Sequence, residues 1–142
     1  ISMVIVIDFS VSKFGSNLKS SLLITQDKSN INFKYVTNLK ELKEIIKSSQ
    51  KPILIDFWAS WCVNCKELES NVLTQSDVAK KLNEFILIKI DLSQSSPENE
   101  ELMREYQIYG PPVLLIYNNG ELKSQITGLI SPNELLQRLN QI

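Results

Sequence analysis

A chain of 142 residues, 43% of them hydrophobic, can build one core and one domain of ordinary size. Lys and Arg number 15 against 16 Asp and Glu, a formal net charge of −1, which leaves no footprint for nucleic acid and no polybasic patch for a membrane. With no histidine and only 2 cysteines, Cys–His and Ser–His catalysis, histidine-ligated zinc and a multi-disulfide framework are excluded.

Residues 1–11 carry Ile1, Met3, Ile5, Ile7, Phe9 and Val11 at alternate positions, a strand period blurred by Val4 and Val6. Gly15-Ser16-Asn17 marks a turn, Leu22-Leu23-Ile24 suits a second strand, and 26–30 is polar enough for a loop. No basic segment precedes an apolar core and cleavage site, and the early apolar run 3–7 falls far short of the roughly 20 residues of a membrane span. Because it opens on Ile1, the chain reads as a piece of something longer. Residues 1–30 are therefore expected to form a β-rich extension or connector, and 31–142 the main domain.

Ile31, Phe33 and Tyr35 alternate and open that domain with a strand. The period then changes. Thr37 is placed to cap a helix in which Leu39, Leu42, Ile45 and Ile46 share one face and Lys40, Glu41, Lys43 and Glu44 face water. Pro52 leads into residues 53–66, ILIDFWASWCVNCK, an apolar strand run punctuated by Asp56 and feeding a helix that begins at the two cysteines. That helix is expected to break near Thr74-Gln75-Ser76 and resume over 77–83 with Val78 and Leu82 inward. Residues 85–90 (FILIKI) suit a buried strand ending at Asp91, and Ser96-Pro97-Glu98 starts a helix carrying Leu102, Met103 and Tyr106. Residues 113–117 and 121–127 flank Asn119-Gly120, a pair that accepts positive φ and signals a hairpin. Ser131-Pro132-Asn133-Glu134 has the form of a capping box before a last helix burying Leu135, Leu136 and Leu139. A parallel βαβ half followed by a hairpin predicts an α/β fold, a central mixed sheet with helices on both faces.

The chemistry lies in Cys62-Val63-Asn64-Cys65. Free N–H groups and the positive end of a helix dipole stabilise an anion, so the first thiol should lose its proton more readily than a free cysteine. Cys62, nearer the helix mouth, is the expected attacking thiolate, and Cys65, one turn in, the resolving thiol. The same spacing occurs in half of a zinc site or as two core thiols, and a CxxC metal-binding module is the competing class. The strand before, the helix after and the βαβ setting favour redox chemistry.

The segments DFWASWCVNCK and YGPPVLLIYNNG resemble the active-site and proline-loop motifs of the thioredoxin superfamily, over about residues 33–142. Within it, CVNCKELE, with Glu69 four residues past the second cysteine, is most similar to the C-terminal domains of bacterial thiol:disulfide interchange proteins. The resemblance implies a thioredoxin-like fold and a protein-disulfide reductase without a bound cofactor. It also implies a monomeric soluble domain of a membrane protein in the bacterial periplasm. Its partners would be a membrane-embedded electron donor and periplasmic acceptors bearing a disulfide or dithiol. The alternative is an anchored or secreted reductase for cytochrome c maturation or general thiol repair, or a cytoplasmic location.

By the same resemblance Asp56 is the buried acid that takes the proton of Cys65; the plain alternative is a structural aspartate at a strand end. Glu69 is either a second carboxylate near the sulfurs or a solvated glutamate on the helix face. Pro112 matches the family's cis-proline. Pro111 departs from the common pattern, because proline keeps a C=O but offers no N–H to a partner. Trp61 and Tyr109 complete the expected partner-binding surface, while Phe57 and Trp58 suit the core.

Overall fold

Strands covered on both faces read as unbroken apolar runs, and the run at 53–58 becomes the middle strand of a five-stranded sheet. This is a computed structural model that describes residues 31–142; the extension expected over 1–30 lies outside the described residues. The strands are β1 (Lys34–Tyr35), β2 (Ile53–Trp58), β3 (Ile86–Asp91), β4 (Val113–Asn118) and β5 (Glu121–Thr127), in the spatial order β1-β3-β2-β4-β5. β3 runs parallel to both β1 and β2, whereas β4 is antiparallel to β2 and to β5. The mixed sheet expected from the element order is the one that forms.

The helices are α1 (Leu39–Ser48), α2 (Val63–Leu68), α3 (Ser76–Leu82), α4 (Pro97–Glu105) and α5 (Pro132–Asn140). A π-helical turn, Glu69–Leu73, continues α2 before the chain bends at Thr74. Period-2 alternation in β2 sorts its side chains between two cores. Ile53, Ile55 and Phe57 pack with Leu42 and Ile46 of α1 and Leu102 of α4. On the other face Leu54, Leu114 and Ile116 pack with Leu68, Leu82, Leu135 and Leu139. Each such aliphatic side chain contributes about 1.5–3 kcal/mol through burial.

Local chemistry sets the ends. The cap of α1 is Asn38, not Thr37: its Oδ1 accepts the Glu41 N–H at 2.8 Å from an extended backbone. Ser96 and Ser131 cap α4 and α5 as expected, each followed by proline and each accepting an N–H at 3.1 Å. The box at α5 is half made, since the Glu134 carboxylate reaches forward to Arg138 at 3.6 Å. Asn119 (φ 55°) and Gly120 (φ 78°) turn the β4–β5 hairpin in the left-handed region, as the Asn-Gly pair requires.

Candidate active site

The site grows from the end of β2 and the start of α2. After Trp58 the chain leaves the sheet through Ala59, Ser60 and Trp61 and enters the helix at Cys62. Cys62 is the N-cap itself, one position ahead of the helical residues, so only Cys65 lies within the first turn. Its Sγ accepts the Cys65 N–H at 3.1 Å, which places a sulfur where capping oxygens usually sit. The two cysteines form a disulfide with Cα atoms 5.3 Å apart. Cys62 is 6% exposed and Cys65 1%. Both belong to the apolar cluster of Phe57, Ala59 and Val113. In the reduced state an N–H so placed would donate to a Cys62 thiolate.

Asp56 interrupts the apolar run of β2 and is 1% exposed, and neither of its carboxylate oxygens has a hydrogen-bond partner among the described residues. Burial pushes its pKa up to about 7; Lys89 opposes that rise and Glu69 adds to it. Lys89 is the charged side chain beside Asp56 that sequence reasoning missed. It is buried in β3 directly across from Asp56 in the parallel register. Its ammonium is ion-paired with Glu69 and lies 4.8 Å from the Phe33 ring centroid and 5.2 Å from that of Trp58. The available signal was one lysine inside an otherwise apolar FILIKI run, because an ammonium is rarely buried without a partner. Glu69 is thus neither free in solvent nor a lone second acid: it opens the π-helical turn and meets Lys89.

Large apolar side chains are exposed on both sides of Cys62 and at two further positions of the domain. Trp61 is 62% exposed, Val63 77%, Tyr109 95% and Leu129 49%. Pro111 is half-buried and Pro112 buried; the peptide bond between them is cis, and the Pro112 carbonyl accepts the Gly128 N–H at 3.0 Å. Phe57 lies fully in the core, whereas Trp58 is only half-buried, and its indole N–H has no hydrogen-bond partner among the described residues.

Residues 39–142 match the profile of the thioredoxin-like domain. Among curated proteins, the thiol:disulfide interchange protein DsbD of Campylobacter jejuni (strain RM1221) is 38% identical over 116 residues, 82% of this chain and 20% of that protein. DsbD of Actinobacillus pleuropneumoniae is 37% identical over 114 residues, 78% of this chain and 20% of its own length. The chain therefore spans about a fifth of the curated relatives it matches. Among solved structures, the reduced C-terminal domain of Neisseria meningitidis DsbD is 25% identical with a TM-score of 0.63, covering 76% of this chain and 98% of that one. Mitochondrial thioredoxin 3 of Saccharomyces cerevisiae shares the fold at 23% identity and a TM-score of 0.64, covering 82% of this chain and 99% of that one.

Proposed function

The chain belongs to the thioredoxin-like domain family, and from that premise we propose that it is a thiol:disulfide oxidoreductase working as a reductant through Cys62 and Cys65. The observation that carries this reading is the disulfide at the mouth of α2, with the Cys62 sulfur held by the Cys65 N–H. In the dithiol state the Cys62 thiolate attacks one sulfur of a partner disulfide, forming a mixed disulfide and expelling the partner's other sulfur as thiolate. Cys65 then gives its proton, directly or through water, to the Asp56 carboxylate and attacks Cys62 Sγ. That step breaks the mixed disulfide, releases the second partner thiol and leaves the Cys62–Cys65 disulfide. Two electrons pass to the partner.

A pKa of about 7 suits Asp56 to this task, since an acid poised near the working pH both accepts and returns the proton. No side chain between the cysteines is basic; Val63 and Asn64 leave the Cys62 thiolate only modestly stabilised, in keeping with a reductant. By likeness to DsbD the electrons come from a membrane-embedded donor and go to periplasmic acceptors, in a longer protein of which residues 31–142 form the redox domain. Among the described residues no helix is long and apolar enough to cross a membrane. Partner polypeptides dock on Trp61, Tyr109, Pro111 and Pro112. Because Pro111 has no N–H to offer, side-chain contacts at Trp61 and Tyr109 carry more of that docking. Replacing Pro111 with isoleucine should tighten a mixed disulfide trapped with Cys65→Ala, and an unchanged affinity counts against this.

Equilibration of the Cys62/Cys65 couple with glutathione buffers tests the whole reading. A potential well below that of glutathione is expected, together with loss of insulin reduction in Cys62→Ser; a potential well above it marks an oxidant and refutes the assignment.

A further inference from the structure

Trp61 is mostly exposed, yet its ring is not free. Its Nε1–H donates to the Ser93 carbonyl at 3.3 Å, and the preceding Ser60 N–H donates to Ser93 Oγ at 2.7 Å. Ser93 belongs to the loop between β3 and α4, more than 30 positions away in sequence, and it is itself fixed. Its N–H and its hydroxyl both donate to Asp91 Oδ1, at 2.9 and 2.5 Å. The loop is braced from two further directions. Leu92 N–H donates to the Trp58 carbonyl at 2.6 Å, and the Asn99 side chain, in the first turn of α4, donates to the carbonyls of Gln94 at 2.7 Å and Asp91 at 3.2 Å. A hydroxyl is the right group for this place: it receives one hydrogen bond from Ser60 while giving another to Asp91, which an aliphatic side chain cannot do.

We infer that Ser93 is a positioning residue for partner docking, a clasp that joins the β3–α4 loop to Ser60-Trp61 and presets the indole beside the Cys62–Cys65 disulfide. A large exposed side chain that is already immobilised loses less freedom when a polypeptide settles on it, so the clasp lowers the cost of binding without touching the sulfur chemistry. The inference rests on the reading of Trp61 as a docking platform.

The test measures reduction of insulin disulfides with dithiothreitol as terminal reductant. It also measures steady-state fluorescence anisotropy in a Trp58→Phe background, where Trp61 is the sole tryptophan. Ser93→Ala should raise KM about three- to tenfold with kcat within about twofold, and lower the anisotropy of Trp61. Ser93→Thr, which keeps the hydroxyl, should restore both. An unchanged KM in Ser93→Ala overturns the inference, as does a fall in kcat matching the rise in KM, or a threonine variant no better than alanine. Trp61→Ala separates this from its premise. A normal KM there removes the platform and the docking role of Ser93 together, whereas a raised KM there with a normal one in Ser93→Ala removes the clasp alone.

Discussion

Asp56 is the residue at which burial and charge act most openly on one another. Its pKa rises from 3.8 to about 7 on folding, because burial disfavours an ionised carboxylate and no donor among the described residues reaches it. Between those two values the folded chain holds a proton that the unfolded chain has lost, so stability falls as pH rises. At about 1.4 kcal/mol per pKa unit, the accumulated cost above pH 7 is on the order of 4 kcal/mol. Asp56→Asn should therefore stabilise the oxidised domain by up to that amount at pH 8 and by almost nothing near pH 4, as read from urea denaturation at the two pH values. The same variant should slow resolution of the mixed disulfide. Lys89 and Glu69 act on Asp56 in opposite senses. Lys89→Met should raise its titration midpoint and Glu69→Gln should lower it, each followed through the carboxyl carbon resonance of Asp56; shifts of the same sign would refute the opposed pair.

At the level of elements, what was legible in the sequence was what short-range physics determines. Helical periodicity placed α1 and α5, Ser-Pro pairs placed the starts of α4 and α5, and Asn-Gly placed the hairpin. The cap of α1 was misplaced by one residue because Thr37 and Asn38 are both good caps, and only the chain's path decides which side chain reaches the Glu41 N–H. Asn38→Ala should cost about 1 kcal/mol in urea denaturation, and Thr37→Ala should stay within about 0.5 kcal/mol. Equal losses would contradict the observed cap. The π-helical turn at Glu69–Leu73 has no sequence signature, being a local adjustment of backbone pairing within a continuous helical pattern. Lys89 escaped notice for a related reason. That it lies across from Asp56 is a fact of register between strands, which depends on how β2 and β3 align and not on either segment alone.

Across residues 31–142, the sheet divides the interior into two cores that share β2 through alternating side chains. Leu102 and Leu139 are both fully buried and lie in different cores. Each truncation to alanine should cost about 2–5 kcal/mol. Because they belong to separate apolar clusters, the double variant should equal the sum within about 0.5 kcal/mol, as measured by denaturant unfolding. A large departure would mean that the sheet transmits strain from one face to the other. The redox site is built where the two cores meet at one end of β2: the cysteines join the cluster of Phe57, while Asp56 points to the side of Leu54.

One atom also holds two offices. The sulfur of Cys62 is the proposed nucleophile and, in the oxidised domain, the acceptor that fastens the first turn of α2. Swapping Cys62 for alanine would silence the reaction and unfasten that turn in one stroke, so a weakened variant would confuse lost reactivity with a frayed backbone. Serine keeps an acceptor at the same place, which makes it the cleaner way to switch the protein off.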